Sequence, residues 1–271
     1  MSGRRDLFSR AEAVVAWTVM CLLVLPIVIV VPVSFSSAPY LQFPPPGWSL
    51  QWYERYFTDA IWVSSTILSL QIGAVSTLLA LALGVPLAFA LVRGRFVGRF
   101  LLERATLAPM IIPTIVFSVA IYSLFSSLGL VGKWYGIAIA HTVLGLPYVV
   151  IIMVAALRNF DVAQESAAQS LGASSFKAVL YVTLPQLAPS LYSAAFLAFI
   201  ASFDELVVSM FLSGSFKTLP KKMFDNILVE IDPTIAAVSV LKVVAVLILF
   251  SIVMRKGSGA ESPFASKKSN P

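Results

Sequence analysis

The sequence predicts an all-α membrane protein with six transmembrane helices. Of its 271 residues 59% are hydrophobic and 12% charged, and the mean hydropathy is +0.91, which excludes an ordinary water-soluble domain. Apolar stretches near 12–33, 62–92, 105–127, 135–157, 186–212 and 234–254 each approach or exceed the roughly 20 helical residues that a bilayer crossing takes. With the termini and alternate loops on one side, that side carries Arg4, Arg5, Arg10, Arg93, Arg95, Arg99, Arg104, Arg158, Lys177, Arg255, Lys256, Lys267 and Lys268. The opposite side carries Arg55, Lys133, Lys217, Lys221 and Lys222. Both termini are therefore expected in the cytoplasm. The formal net charge of +6 gathers beside apolar spans and forms no solvated basic stripe, so it argues orientation and not nucleic acid.

Residues 1–11 form a short basic lead-in, and the membrane domain runs from 12 to 254. The first span reads as retained and not as a cleaved signal, because its apolar run is long and no small-x-small site follows. Cys21 lies in that run as the single cysteine, so an intrachain disulfide is ruled out. Beyond it, Pro44, Pro45, Pro46 and Gly47 enforce extended and turning backbone. Trp48, Trp52, Tyr53, Tyr56 and Phe57 then form an aromatic cluster on a short helix. Two readings stay open for it: a headgroup-level anchor, or a surface met by a soluble binding protein.

The second apolar stretch lacks a formal charge from Ala60 to Val92, more than a straight crossing needs, so it must tilt, kink or emerge. Gly84 and Pro86 offer a bend near its inner end. Pro109 and Pro113 fall in the third span, Gly145, Pro147 and Tyr148 in the fourth. Such prolines are tolerated where neighbouring helices satisfy the freed carbonyls, which predicts packing within a bundle. His141, the lone histidine, makes a poor metal site and reads as a hydrogen-bonded helix residue. The tail 255–271, rich in Ser, Gly and Lys from Gly257 on, reads as cytoplasmic and disordered.

The fifth span contains Ser202, Phe203, Asp204 and Glu205. An aspartate at the centre of an apolar helix costs about 2.5–3.5 kcal/mol on insertion scales, so these carboxylates need a partner or water. At about 1.5 Å per residue, Asp204 lies roughly 13 Å from the outer end and Lys242 of the sixth span about 12 Å. Helical neighbours point about 100° apart, so Asp204 and Glu205 cannot both face one partner. Either all three charges neutralise one another, or one carboxylate pairs with Lys242 while the other favours a cation on a translocation path, aided by the aromatic faces of Phe203 or Tyr148.

The segment 161–185, DVAQESAAQSLGASSFKAVLYVTLP, is the long polar-bearing stretch on the basic side. Asp161 can cap a first helix, with Gln164 where a capping box would use it. Gly172 permits the tight backbone that ends that helix, and Ser174 or Ser175 can cap the next. Glu165 and Ser166 precede Ala167 and Ala168, Gly172 follows, and Leu184 and Pro185 close the segment. That spacing resembles the cytoplasmic loop of the membrane subunits of ATP-binding-cassette importers, in which a Glu-Ala-Ala triplet, a Gly and a terminal Leu-Pro recur. Here Ser166 stands at the triplet's acidic position and the carboxylate sits one residue earlier, at Glu165. The run 202–209 with Leu219 and Pro220 is similar to the polyamine-type permeases, which usually carry two aspartates where this chain has Asp204 and Glu205.

The resemblance implies a type I importer permease fold in a bacterial inner membrane, with the loop 158–185 as the coupling segment. It implies a second homologous permease as heterodimer partner, two ATP-binding subunits, an external solute-binding protein, and spermidine or putrescine as cargo. Other amino compounds such as 4-aminobutyrate, opines or amino acids are the alternative. No Gly-x-x-x-x-Gly-Lys-Ser/Thr run exists in the chain, so ATP and Mg are expected on the partner ATPases, with no cofactor or catalytic residue here. An ion-coupled carrier working through Asp204, Glu205 and Lys242 is the competing class, and a membrane scaffold a third. The 161–185 motif weighs against both.

Overall fold

Inside lipid every backbone N–H and C=O must find an internal partner, so a chain this apolar is expected to resolve into helices. The computed structural model describes residues 2–229 and 231–258, and among them the one β pairing is an isolated bridge between Ser36 and Trp48. The expectation of a disordered tail falls largely on residues 259–271, outside those described. The chain divides into two compact units, one uniting the chain up to Val63 with Met223–Ala245, the other Ser64–Lys222 with the chain from Val246 on.

In the first unit, α1 (Ser2–Ser34) contains a 23-residue apolar run, Glu12–Ser34, with none of its most apolar window buried. A helix apolar all round and unburied within its own chain suits lipid or another membrane helix. The aromatic cluster forms α2 (Gln51–Thr58), the short helix expected. Its Trp52 and Tyr56 are buried, whereas Trp48 and Phe57 stay exposed. The Trp52 indole donates to Ser36 O at 2.7 Å, and the Tyr53 and Ser34 hydroxyls meet at 2.7 Å. Arg55 pairs with Asp232 at 3.0 Å. Asp232 also caps the start of α13 (Thr234–Ser258), accepting from Thr234 N at 2.8 Å and from its hydroxyl at 2.7 Å.

The second unit is built on α3 (Ala60–Arg93), α6 (Trp134–Arg158) and α10 (Ala188–Phe203). Ala80 and Ala88 of α3, Val149 and Met153 of α6, and Ala194 and Ala198 of α10 form one buried core. Small side chains let helix backbones approach closely, the usual basis of helix packing where hydrophobic transfer drives little. Gly84 shows how closely. A Cβ built there would lie 2.7 Å from Val149 Cγ1, so this glycine is a packing contact, and α3 continues as one 34-residue helix through Pro86 to Arg93.

Two of the expected spans are not single helices. The third is α4 (Arg99–Ile111) followed by α5 (Thr114–Ser127), bent by 108°. Pro113 causes the break: its ring pushes Ile112 into extended backbone, φ −72 and ψ 128, and it has no N–H to continue the ladder. Pro147 is buried in α6, as bundle packing requires, but Pro113 and much of α5 are exposed. Expected packing thus holds for the fourth span and not for the bend of the third. The fifth span ends its regular helix at Phe203 and resumes as the six-residue α11 (Val207–Leu212). Between Leu212 and α13 lies α12 (Leu219–Val229).

Replacing Gly84 by Ala gains about 1 kcal/mol of helix propensity but overpacks a stiff buried valine, at about 1–3 kcal/mol. Gly84→Ala is expected to lower the thermal midpoint in detergent, and Val149→Ala in the same chain to recover part of the loss.

Candidate functional site

The segment after α6 folds as α7 (Ala163–Ser170), α8 (Ser175–Ala178), a π-helical turn Val179–Thr183 and α9 (Leu184–Gln186). Asp161 accepts from Ala163 N at 3.0 Å, and Gly172 takes φ 92, the left-handed conformation that ends a helix. Of the two serines available to cap α8, Ser174 does so, accepting from Lys177 N at 3.4 Å. The capping box is not made. Gln164 instead accepts from the Gln186 side chain at 2.5 Å, because the chain folds back and brings α9 beside α7.

Glu165 is 5% exposed. Arg93, the last residue of α3, grips it with Nη1 on Oε2 at 2.8 Å and Nη2 on Oε1 at 2.6 Å. The Thr183 hydroxyl also donates to that carboxylate, and the guanidinium lies 4.9 Å from the Phe89 ring centroid. Such a bidentate, charge-assisted fork fixes orientation as well as distance. Burial by itself raises the Glu165 pKa, but the hydrogen bonds from Arg93 and Thr183 and the Arg93 charge outweigh it, and the net shift is downward.

The other coupling residues expected from the sequence lie elsewhere on the segment. Ser166, Ala167, Gly172 and Pro185 are exposed, while Ala168 and Leu184 are half-buried. Leu171, Phe176 and Tyr181 of the same segment are exposed by 91%, 75% and 72%. Glu165 is thus turned inward as a clamp, while the small residues Ser166 and Ala167 of α7 stay exposed. Arg93 and Thr183 were not singled out from the sequence. Arg93 reads there as a loop anchor, and no local pattern links it to a glutamate 72 residues on.

At the far end of α10 the acidic pair occupies a break and not a helix. Asp204 is the C-terminal cap of α10, with φ −91 and ψ −5, and is exposed. Glu205 is half-buried and its Oε1 accepts from Val208 N at 3.0 Å, capping α11. The 100° argument from continuous helix geometry therefore does not apply. Phe203, expected as an aromatic face on the path, is 6% exposed and stacks on Phe199 at 5.6 Å. Lys242 lies half-buried on α13 in the other unit. His141 is hydrogen-bonded, as expected, with Nδ1 2.8 Å from Ser202 Oγ. The partners Ser76, Ser202 and Ser209 were missed. Small polar residues in apolar helices were their signal.

A helical membrane chain whose family model and relatives are transport permeases is a transport subunit, not an enzyme. It belongs to the family described as "Binding-protein-dependent transport system inner membrane component", whose model matches residues 80–256. It is 32% identical over 247 residues to the spermidine/putrescine transport system permease protein PotC of Haemophilus influenzae, covering 89% of this chain and 95% of that protein. It is 33% identical over 224 residues to the putrescine transport system permease protein PotI of Escherichia coli, covering 80% and 79%. The molybdenum transport system permease protein ModB of Mycobacterium bovis is 31% identical over 217 residues, covering 73% and 81%. In fold it is similar to a chain of a bacterial ABC transporter that imports the polysaccharide alginate, with TM-score 0.71, 20% identity and coverage of 92% and 96%. The architecture is thus that of a type I importer permease.

Because the folded Glu165 pKa is depressed, its stabilising contribution is complete above the ordinary value of 4.5 and is lost as pH falls through the lower folded value. A nitroxide on Ser170→Cys, in a Cys21→Ser background, is expected to stay immobile at neutral pH and to gain mobility only below 4.5. With Glu165→Gln it is expected to be mobile at neutral pH, with no such transition.

Proposed function

We propose that this chain is one membrane subunit of an ATP-driven importer for polyamines such as spermidine or putrescine, forming half of the translocation path. The observation that carries the substrate class is the similarity to polyamine permeases over 89% and 80% of the chain, together with an exposed aspartate at the break in the fifth span. A carboxylate there attracts a cationic solute. The similarity to a molybdenum permease supports a second reading, in which the same architecture serves a different solute, another amino compound among them, and the soluble receptor fixes the choice.

In this reading both termini are cytoplasmic, the chain pairs with a second homologous permease in the bacterial inner membrane, and an external solute-binding protein delivers the cargo. Two partner ATPases bind ATP and Mg. The exposed face of α7, with Ser166, Ala167 and Gly172, docks on one of them. Its displacement reaches the membrane by two routes: through the Arg93–Glu165 fork to the end of α3, and through the π-helical turn and α9 to the start of α10. The 16 residues of α10, about 24 Å at helical rise, then carry it to Asp204.

The test is uptake by the reconstituted complex of this chain with its partner subunits. Spermidine or putrescine is expected to be imported in preference to 4-aminobutyrate. Asp204→Asn is expected to cut uptake at least about tenfold, roughly 1.4 kcal/mol, with the amount of assembled complex unchanged. Uptake by this chain alone, collapsed by dissipating an ion gradient, would overturn the reading in favour of a carrier.

A further inference from the structure

The break in the fifth span leaves α11 as a six-residue helix, far below the length at which a helix holds itself together. Tertiary contacts must hold it. Val208 and Leu212 supply apolar ones in a core with Ile137, Ala138 and Ala140 of α6, but such packing tolerates slippage. His141, on α6 and 1% exposed, adds a directional tie. Its Nδ1 lies 2.8 Å from Ser202 Oγ, in the last turn of α10, and its Nε2 lies 3.4 Å from Ser209 Oγ, in α11. The two serines flank the break, so one imidazole spans it.

The surrounding hydroxyls extend this tie into a longer chain. Ser76, on α3, donates to Ser202 Oγ at 2.9 Å, and Ser209 donates to Glu205 O at 3.0 Å. If Ser202 donates to Nδ1 and Nε2–H donates to Ser209, each donor in the chain Ser76, Ser202, His141, Ser209, Glu205 has its own acceptor. Ser76 can instead donate to Gly73 O at 3.1 Å, and the opposite tautomer, with Nδ1–H on Ser202 and Ser202 donating to Ser76, is then satisfied as well. A buried polar network of this kind is most useful when fully satisfied, because it then specifies register that apolar packing leaves loose.

We propose that His141 is a positioning residue for the translocation path: by tying Ser202 to Ser209 across the break, it fixes where Asp204 is presented. This rests on the reading of Asp204 as a path residue, and the experiment separates the two. In the complete complex with Cys21→Ser, Asp204→Cys is labelled with a membrane-impermeant thiol reagent, with and without His141→Leu. In complexes retaining Asp204, KM and kcat for polyamine uptake are measured alongside thermal stability.

His141→Leu is expected to change the labelling rate about fivefold or more and to raise KM more than it lowers kcat. Ser209→Ala is expected to do the same, with the double variant no worse than either single one. His141→Gln, whose amide retains a donor and an acceptor, is expected to restore part of the effect. Unchanged labelling and KM in both His141→Leu and Ser209→Ala, or lowered stability without a labelling change, would overturn the proposal. Should His141→Leu not assemble, Ser209→Ala decides alone. Altered labelling with unchanged KM would uphold the role of His141 at the break and remove Asp204 from the path.

Discussion

The fork between Arg93 and Glu165 fastens the segment 161–185 to the end of α3. The 34 residues of α3 exceed what a bilayer crossing takes by well over ten residues, and its final turn places Arg93 against the segment 161–185. Glu165 and Thr183 lie on α7 and the π-helical turn, and they share that one guanidinium-bound carboxylate. The end of α3 and two pieces of backbone too short to be rigid alone are locked by a single buried group. Severing one partner leaves the other charge without its counter-ion in a poorly hydrated site, which costs more than the pair gains when whole.

The core explains why a movement at the clamp reaches the rest of the second unit. Ala80, Ala88, Ala194 and Ala198 are each at most 1% exposed, as are Val149 and Met153, and Gly84 leaves no room for a methyl group beside Val149. Helices packed at this distance move as bodies, because interiors near crystal density do not deform smoothly. The clamp acts on α3 and the turn before α10 acts on α10, so both helices that flank α6 are attached to the same loop.

Much of this was legible in the sequence. Span positions follow from hydropathy, α2 from its aromatic spacing, and the turn at Gly172 from the need for a left-handed residue. The legible features are local. What escaped was long-range: Arg93 and Glu165 are 72 residues apart, and Ser76 and Ser202 are 126 apart. The two broken spans were hidden for another reason. An apolar window averages over a short non-helical stretch, so the run through Pro113 and the run through Asp204 both read as continuous. The clue at 203–206 was the presence of two adjacent carboxylates, which a regular lipid-embedded helix has no good way to accommodate.

The break resolves that conflict, and its geometry shows why two carboxylates suit it better than one. Ending α10 at Phe203 exposes its last carbonyls and opens the first amides of α11, and within a membrane neither set can turn to bulk water. Glu205 answers the second need by accepting from Val208 N. The amides of Asp204 and Glu205 answer part of the first by donating to Ile200 O and Ser202 O. Asp204 is then left exposed at the end of α10, its side chain not required by the capping of α11. One acidic residue builds the break and its neighbour is presented by it. That division of labour accounts for an Asp-Glu pair at the break, one carboxylate capping α11 and the other closing α10.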